Sequence, residues 1–76
     1  MALTSAPEIL HVHVNDAECT VPSGTRIQSL LDEMALAGRL GLAVAVNAKV
    51  VPRALWADQR LHEGDRVLII QASQGG

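Results

Sequence analysis

From Ile9 the chain alternates, with Leu10, Val12 and Val14 on one side and Ile9, His11 and His13 on the other, the two-residue period of a half-buried strand. Asn15 and Asp16 supply turn chemistry; Cys19 and Val21 mark a short second strand that Pro22, Ser23 and Gly24 stop. The period then lengthens. Ile27, Leu30, Leu31 and Met34 recur at i, i+3, i+4 and i+7, one face of a helix, while Arg26, Gln28, Ser29, Asp32 and Glu33 take the wet side. Thr25 followed by Gln28 has the form of a capping box and places the helix start there; Gly38 fits its C-terminal stop. Leu42, Val44 and Val46 alternate with Ala43 and Ala45 as a third strand, Asn47 and Ala48 turn, and Lys49 to Val51 begin a short fourth that Pro52 ends. Proline suits the first helical position, so Arg53 to Ala57 reads as one short turn carrying Trp56. After turn chemistry at Glu63, Gly64 and Asp65, the segment Arg66 to Gln71 contains Val67, Leu68, Ile69 and Ile70, apolar on both faces as in the most buried strands.

One long helix covers only one face of the sheet these strands form. The order therefore predicts an α+β domain of the β-grasp, ubiquitin-like kind: a mixed sheet of four to five strands wrapped on one main helix, spanning residues 9–71. Residues 1–8 lack periodicity and read as a disordered N-terminal extension, and 72–76 as a flexible tail. The chain has 76 residues, room for one domain, and 22 Val, Ile and Leu against one Trp and no Phe or Tyr, so its core is built of branched aliphatics. A domain of this size buries only about 60% of its unfolded surface. That leaves little volume for both a core and an enclosed substrate pocket, and argues against a self-contained enzyme.

Charge narrows the partners. Six Lys and Arg are scattered among eight acids for a net charge of −2, with no basic cluster to meet nucleic acid. No apolar run approaches the ~20 residues that span a bilayer, and the opening MALTSAPE has neither a charged nor an apolar signal region. The expectation is a cytoplasmic protein without a membrane partner. Cys19 alone makes no internal disulfide, zinc knuckle or iron–sulfur site.

The strongest chemical signal is the pair Gly75-Gly76, a few residues beyond the last strand. Six extended residues reach about 20 Å, and two residues without Cβ atoms pass a narrow channel and let a partner's backbone approach closely. The reactive group of such a tail is the α-carboxylate of Gly76, a poor electrophile until activated, and adenylation by ATP is the usual solution. The acyl-adenylate is then captured by sulfur or by an amine, which makes the protein a group carrier. Other candidates carry blander readings. His11 and His13 at i, i+2 lack a third ligand nearby and read as solvent-facing strand residues, so no metal site is expected. Cys19 reads as a small buried strand residue rather than a nucleophile or a covalent link to a partner. Trp56 reads as a plug at one end of the fold rather than a partner surface. Gly64 serves the turn that Asp65 caps, and Arg53 meets an acidic partner residue, the tail or only solvent.

Three stretches carry a family likeness: Val14-Asn15 leading to Gly24-Thr25; Val46-Asn47 to Val51-Pro52-Arg53-x-x-Trp56; and Gly64-Asp65 before an aliphatic strand and Gly75-Gly76. With them the chain, from about Ile9 to its end, resembles the β-grasp sulfur carriers. The Val-Pro-Arg-x-x-Trp run is similar to the branch serving thiamin biosynthesis, while the Gly-Gly and Gly-Asp elements are also similar to the small subunit of molybdopterin synthase and, more loosely, to ubiquitin. Met1 to Glu8 is an addition to the family pattern, and Ser73 and Gln74 are polar where the family often has small apolar residues.

The resemblance implies that a ubiquitin-activating-like adenylyltransferase, using ATP and magnesium, adenylates Gly76, and that a persulfide sulfur donor converts it to a thiocarboxylate. A thiazole synthase then takes the sulfur, and the carrier holds no catalytic residue of its own. Ser73, Gln74 and Gly75 would thread the partner's channel. Family guidance puts Val67 and Ile69 in the core, leaving Leu68 and Ile70, with Arg53, as a docking surface unless a loop or a dimer partner covers them. The alternative roles are the small subunit of molybdopterin synthase and a ubiquitin-like modifier ending in an isopeptide bond to Lys.

Overall fold

A computed structural model describes residues 8–36 and 38–71; the readings placed on residues 1–7 and on Ser73, Gln74, Gly75 and Gly76 lie outside the described residues. The elements are β1 (Ile9–Val14), β2 (Ala17–Pro22), α1 (Ile27–Glu33), β3 (Leu42–Val46), β4 (Lys49–Val51), a 3-10 turn (Arg53–Leu55) and β5 (Arg66–Gln71). They form one five-stranded sheet in the order β2-β1-β5-β3-β4. β5 runs parallel to β1 and antiparallel to β3, and the two outer pairs are antiparallel hairpins. This mixed sheet on one helix is the β-grasp arrangement that the alternation predicts.

Each hairpin turns in two residues. Val14 pairs with Ala17 and Val46 with Lys49, so Asn15-Asp16 and Asn47-Ala48 are the loops, and all four residues have positive φ. Positive φ at both central positions matches the twist of the flanking strands, and Asn tolerates it better than most residues. The inward residues of β1, β3 and β5 (Leu10, Val12, Val14, Val44, Val46, Val67 and Ile69) close on Ile27, Leu30 and Leu31 of α1. Cys19 is half-buried against this core, a packing role for a small strand side chain.

The helix departs from its local signals at both ends. Its N-cap is Arg26, without a side-chain cap, because the capping box does not form: the Thr25 hydroxyl donates to the Pro22 carbonyl at 2.6 Å and Gln28 Nε2 donates to Asp32 at 3.3 Å. The free first-turn donors go elsewhere, Ile27 N–H to the Gln59 carbonyl and Gln28 N–H to the Trp56 carbonyl, both at 3.0 Å. Backbone acceptors from a segment thirty residues away thus do the capping, a solution that a local motif cannot register.

At the other end the helix stops at Glu33, a turn before Gly38. Leu36 N–H donates to the Leu31 carbonyl at 2.8 Å and Ala35 N–H to the Asp32 carbonyl at 3.0 Å, which is the Schellman pattern, with Ala35 at φ 61 in the position glycine usually takes. Met34, expected on the buried face, is the C-cap and is exposed. A Cβ in the left-handed region costs about 1 kcal/mol. Ala35→Gly is therefore expected to raise the unfolding free energy by about that amount in a urea titration; a lower midpoint would contradict this cap assignment. Among the described residues no helix is long and apolar enough to cross a membrane.

Candidate functional site

The chain leaves the described domain through β5, the middle strand of the sheet. Its start is tied down by the two turn asparagines, one on each flank. Asn47 Oδ1 accepts from Arg66 N–H at 3.0 Å, its own N–H donates to the Arg66 carbonyl at 2.8 Å, and its Nδ2 donates to Asp65 Oδ1 at 2.9 Å. The other Asp65 oxygen accepts from His62 N–H at 2.8 Å, so this buried carboxylate is used up on the turn that Gly64, at φ 82, allows. Asp65 caps the turn as its sequence position suggests. On the opposite flank Asn15 N–H donates to the Val67 carbonyl and Asn15 Oδ1 accepts from Ile69 N–H at 2.8 Å. The sequence marks both asparagines as turn formers and as parts of the family likeness, but not their side-chain bonds to β5; the doubled Val-Asn at residues 14–15 and 46–47 is the one signal of them.

β5 presents two faces. Val67 and Ile69 are buried in the core, while Leu68 and Ile70 are 48% and 53% exposed on the outer face. The register sets Ala45 opposite Leu68 and Ala43 opposite Ile70, and Val50 of β4, itself exposed, beyond Ala45. Alternation gives β3, β4 and β5 the outward set Ala43, Ala45, Val50, Arg66, Leu68 and Ile70, a small apolar patch with one cation at its edge and no carboxylate.

Arg53 is already engaged within the fold. Its guanidinium lies 4.6 Å from the centroid of the Trp56 ring, and its Nη2 donates to the Arg39 carbonyl at 3.1 Å. Trp56 is 1% exposed and its Nε1 donates to the Val51 carbonyl at 2.9 Å. The Val-Pro-Arg-x-x-Trp run is thus a structural unit: Pro52 leads into the 3-10 turn, the turn swings Trp56 into the core, and Arg53 covers the ring. Arg39 also reaches Gln71, with 3.5 Å between Nη1 and Oε1, so this unit braces the end of β5.

The remaining candidates lie apart from that strand end. His11 N–H donates to Glu63 Oε1 at 2.9 Å and its Nδ1 is 3.1 Å from Oε2; the backbone N–H, then the ring, hold the Glu63 carboxyl below its ordinary pKa. His13 is half-buried one turn of the pleat away, and among the described residues no group of three or more His, Cys, Asp or Glu is placed to hold a metal ion. A groove of about 420 Å³ runs between β2 and α1 past Cys19, Thr25, Ser29 and Glu33, and has no histidine in its walls to activate the thiol. No arrangement of acid, base and nucleophile is present among the described residues. What the geometry offers is a rigid strand, an apolar outer patch and an exit for the chain beyond Gln71.

The ThiS family model matches residues 7–76. The chain is 30% identical over 67 residues to the sulfur carrier protein ThiS of Escherichia coli (strain K12), across 88% of this chain and all of that protein. A crystal structure of the thiamine biosynthesis protein ThiS from Geobacter metallireducens superposes with a TM-score of 0.75 at 23% identity, covering 88% of this chain and 100% of that one. A solution structure of a thiamine biosynthesis protein from the same organism gives a TM-score of 0.72 at 23% identity, with 88% of each chain covered.

Proposed function

The chain belongs to the ThiS family, and from that premise we propose that it is a sulfur carrier for thiazole formation in thiamin biosynthesis, with the α-carboxylate of Gly76 as the carrying group. The observation that carries this reading is the family match running through Gly75-Gly76, five residues beyond a strand that is fixed on both flanks.

The steps follow from the group. A Gly76 carboxylate oxygen attacks the α-phosphorus of ATP in the site of an adenylyltransferase; pyrophosphate leaves, and magnesium there offsets the phosphate charge. A persulfide sulfur attacks the acyl carbon and AMP departs, giving an acyl disulfide. A thiol then cleaves the S–S bond, leaving as a mixed disulfide and freeing the Gly76 thiocarboxylate, a soft nucleophile for thiazole synthase. Ser73, Gln74 and Gly75 thread the channel, where the absence of a Cβ at Gly75 lets its walls close on the backbone.

Docking falls to the outer patch, and Leu68 and Ile70 are its two large side chains. Arg53, expected beside them as a docking residue, is instead held by the Trp56 ring and the Arg39 carbonyl. The variant Leu68→Ser/Ile70→Ser removes half-exposed apolar area without touching the core. It is expected to stay folded, with an unfolding midpoint lowered by the half-buried area it gives up, and to raise KM for the carrier in pyrophosphate release by about tenfold or more, with kcat retained, the pattern of lost uniform binding. An unchanged KM would remove the patch from the docking surface.

A further inference from the structure

β5 outruns its neighbour. β1 pairs with it only at His13–Arg66 and Val14–Val67, then turns away at Asn15, whereas β3 stays alongside as far as the Leu42–Gln71 pair. The next rung on the β1 side would be Ile69 N–H to a strand carbonyl; the Asn15 side chain supplies the acceptor in its place. Beyond that rung, among the described residues, the strand pairs on one side only.

A strand residue directs its N–H and C=O to the same side, and residues two apart point alike. Since Ile69 N–H points to Asn15, the Ile69 carbonyl and the N–H and carbonyl of Gln71 face the vacated β1 side. In the β3 register Gln71 lies opposite Leu42, one residue past the Ala43–Ile70 pair, so its N–H points away from β3, and Gln71 is exposed. The other edges of the sheet are guarded as exposed edges usually are: β2 carries Glu18 and ends at Pro22, and β4 is three residues long, begins with Lys49 and is followed by Pro52. From Val67 to Gln71 there is neither proline nor charge.

We propose that this edge, from the Ile69 carbonyl through Gln71, is a strand-addition site for an extended segment of the adenylyltransferase, with Asn15 closing the first rung and so setting the register. This rests on the reading of Gly76 as the adenylated group. Gly76 is the fifth residue beyond Gln71, at most about 18 Å away along an extended chain, so the strand end must seat close to the adenylation centre. A partner strand laid along β5 would align the tail with the channel while using main-chain bonds that require no particular tail side chains.

Gln71→Pro deletes the N–H that points to the vacated β1 side, and proline is tolerated on an open strand edge. The expected result is an unfolding midpoint within about a degree of Gln71→Ala, which loses the same side chain and its Arg39 contact, and a KM in pyrophosphate release about tenfold above that of Gln71→Ala. In amide hydrogen exchange, Gln71 should exchange fast in the free protein and slowly in the complex with the adenylyltransferase, while Ile69 is slow in both. Equal KM values for the two variants, or a Gln71 amide that stays fast in the complex, would overturn the site; so would protection of Gln71 in the free protein that grows with its concentration, which assigns the edge to a second copy. A wild-type chain that elicits no pyrophosphate release would overturn the Gly76 reading and this site with it.

Discussion

Deleting Gly75 and Gly76 brings adenylation and sulfur loading below about a thousandth of the wild-type rate, while the unfolding midpoint stays where it is. The deletion leaves the body untouched, because β5 completes its register with β3 at Gln71. It moves the terminal carboxylate back by two residues, about 7 Å along an extended chain. A misplacement of 1 Å at a reacting atom costs up to about a hundredfold, so a carboxylate held that far from the α-phosphorus of ATP does not react. The length-preserving variant Gly75→Ala/Gly76→Ala separates reach from channel width: it keeps the carboxylate in range, and its loss measures what a Cβ costs inside the partner. Pyrophosphate exchange reports the first step and intact mass the second. Sulfur loading that survives the deletion would remove Gly76 from the mechanism.

Trp56→Ala is the second large effect, and it acts on stability. Trp56 is the chain's one aromatic ring and among its largest fully buried side chains. Truncating a buried ring of this kind costs about 3–5 kcal/mol. The Val51 carbonyl also loses its donor, and Arg53 loses the surface on which it lies. A domain of this size has a net stability of about 4–11 kcal/mol, so the alanine variant is expected to lose about a third or more of it and to unfold at a much lower denaturant concentration than the wild type. Trp56→Phe keeps most of the ring and loses the Nε1 bond, for an expected cost of about 1–2 kcal/mol. Denaturant titration checks both. An alanine variant with the wild-type midpoint and defective adenylation would instead make Trp56 a contact residue, contrary to its burial.

The strands were legible because their information is local. Period-two alternation at Ile9–Val14 and Leu42–Val46, and asparagines where φ must be positive, specify hairpins without reference to the rest of the chain. β5 was half legible: a run apolar on both faces announces a central strand but not which face is inward, and family likeness rather than pattern put Val67 and Ile69 inside. The helix ends were misread because their bonds are long-range or defy propensity. Thr25 and Gln28 have capping chemistry, but carbonyls of Trp56 and Gln59 reach the same donors first, and Ala35 accepts a conformation that the sequence offers to Gly38. Arg53 shows the same limit at the candidate site. Its spacing from Trp56 marked a motif, but only the folded chain shows that the spacing serves a stacked pair instead of a free cation. The clamp from Asn15 to Ile69 spans 54 residues and has no local signature.

The central claim concerns one atom at one terminus. The full chain, incubated with ATP, magnesium, its adenylyltransferase and a persulfide donor, is to be weighed intact and then as its C-terminal peptide. The expected result is a mass gain equal to exchanging one oxygen for sulfur, on the peptide ending in Gly76, and dependent on ATP. An unchanged mass, a gain on the peptide holding Cys19 instead, or linkage of Gly76 to lysines of other proteins would contradict it.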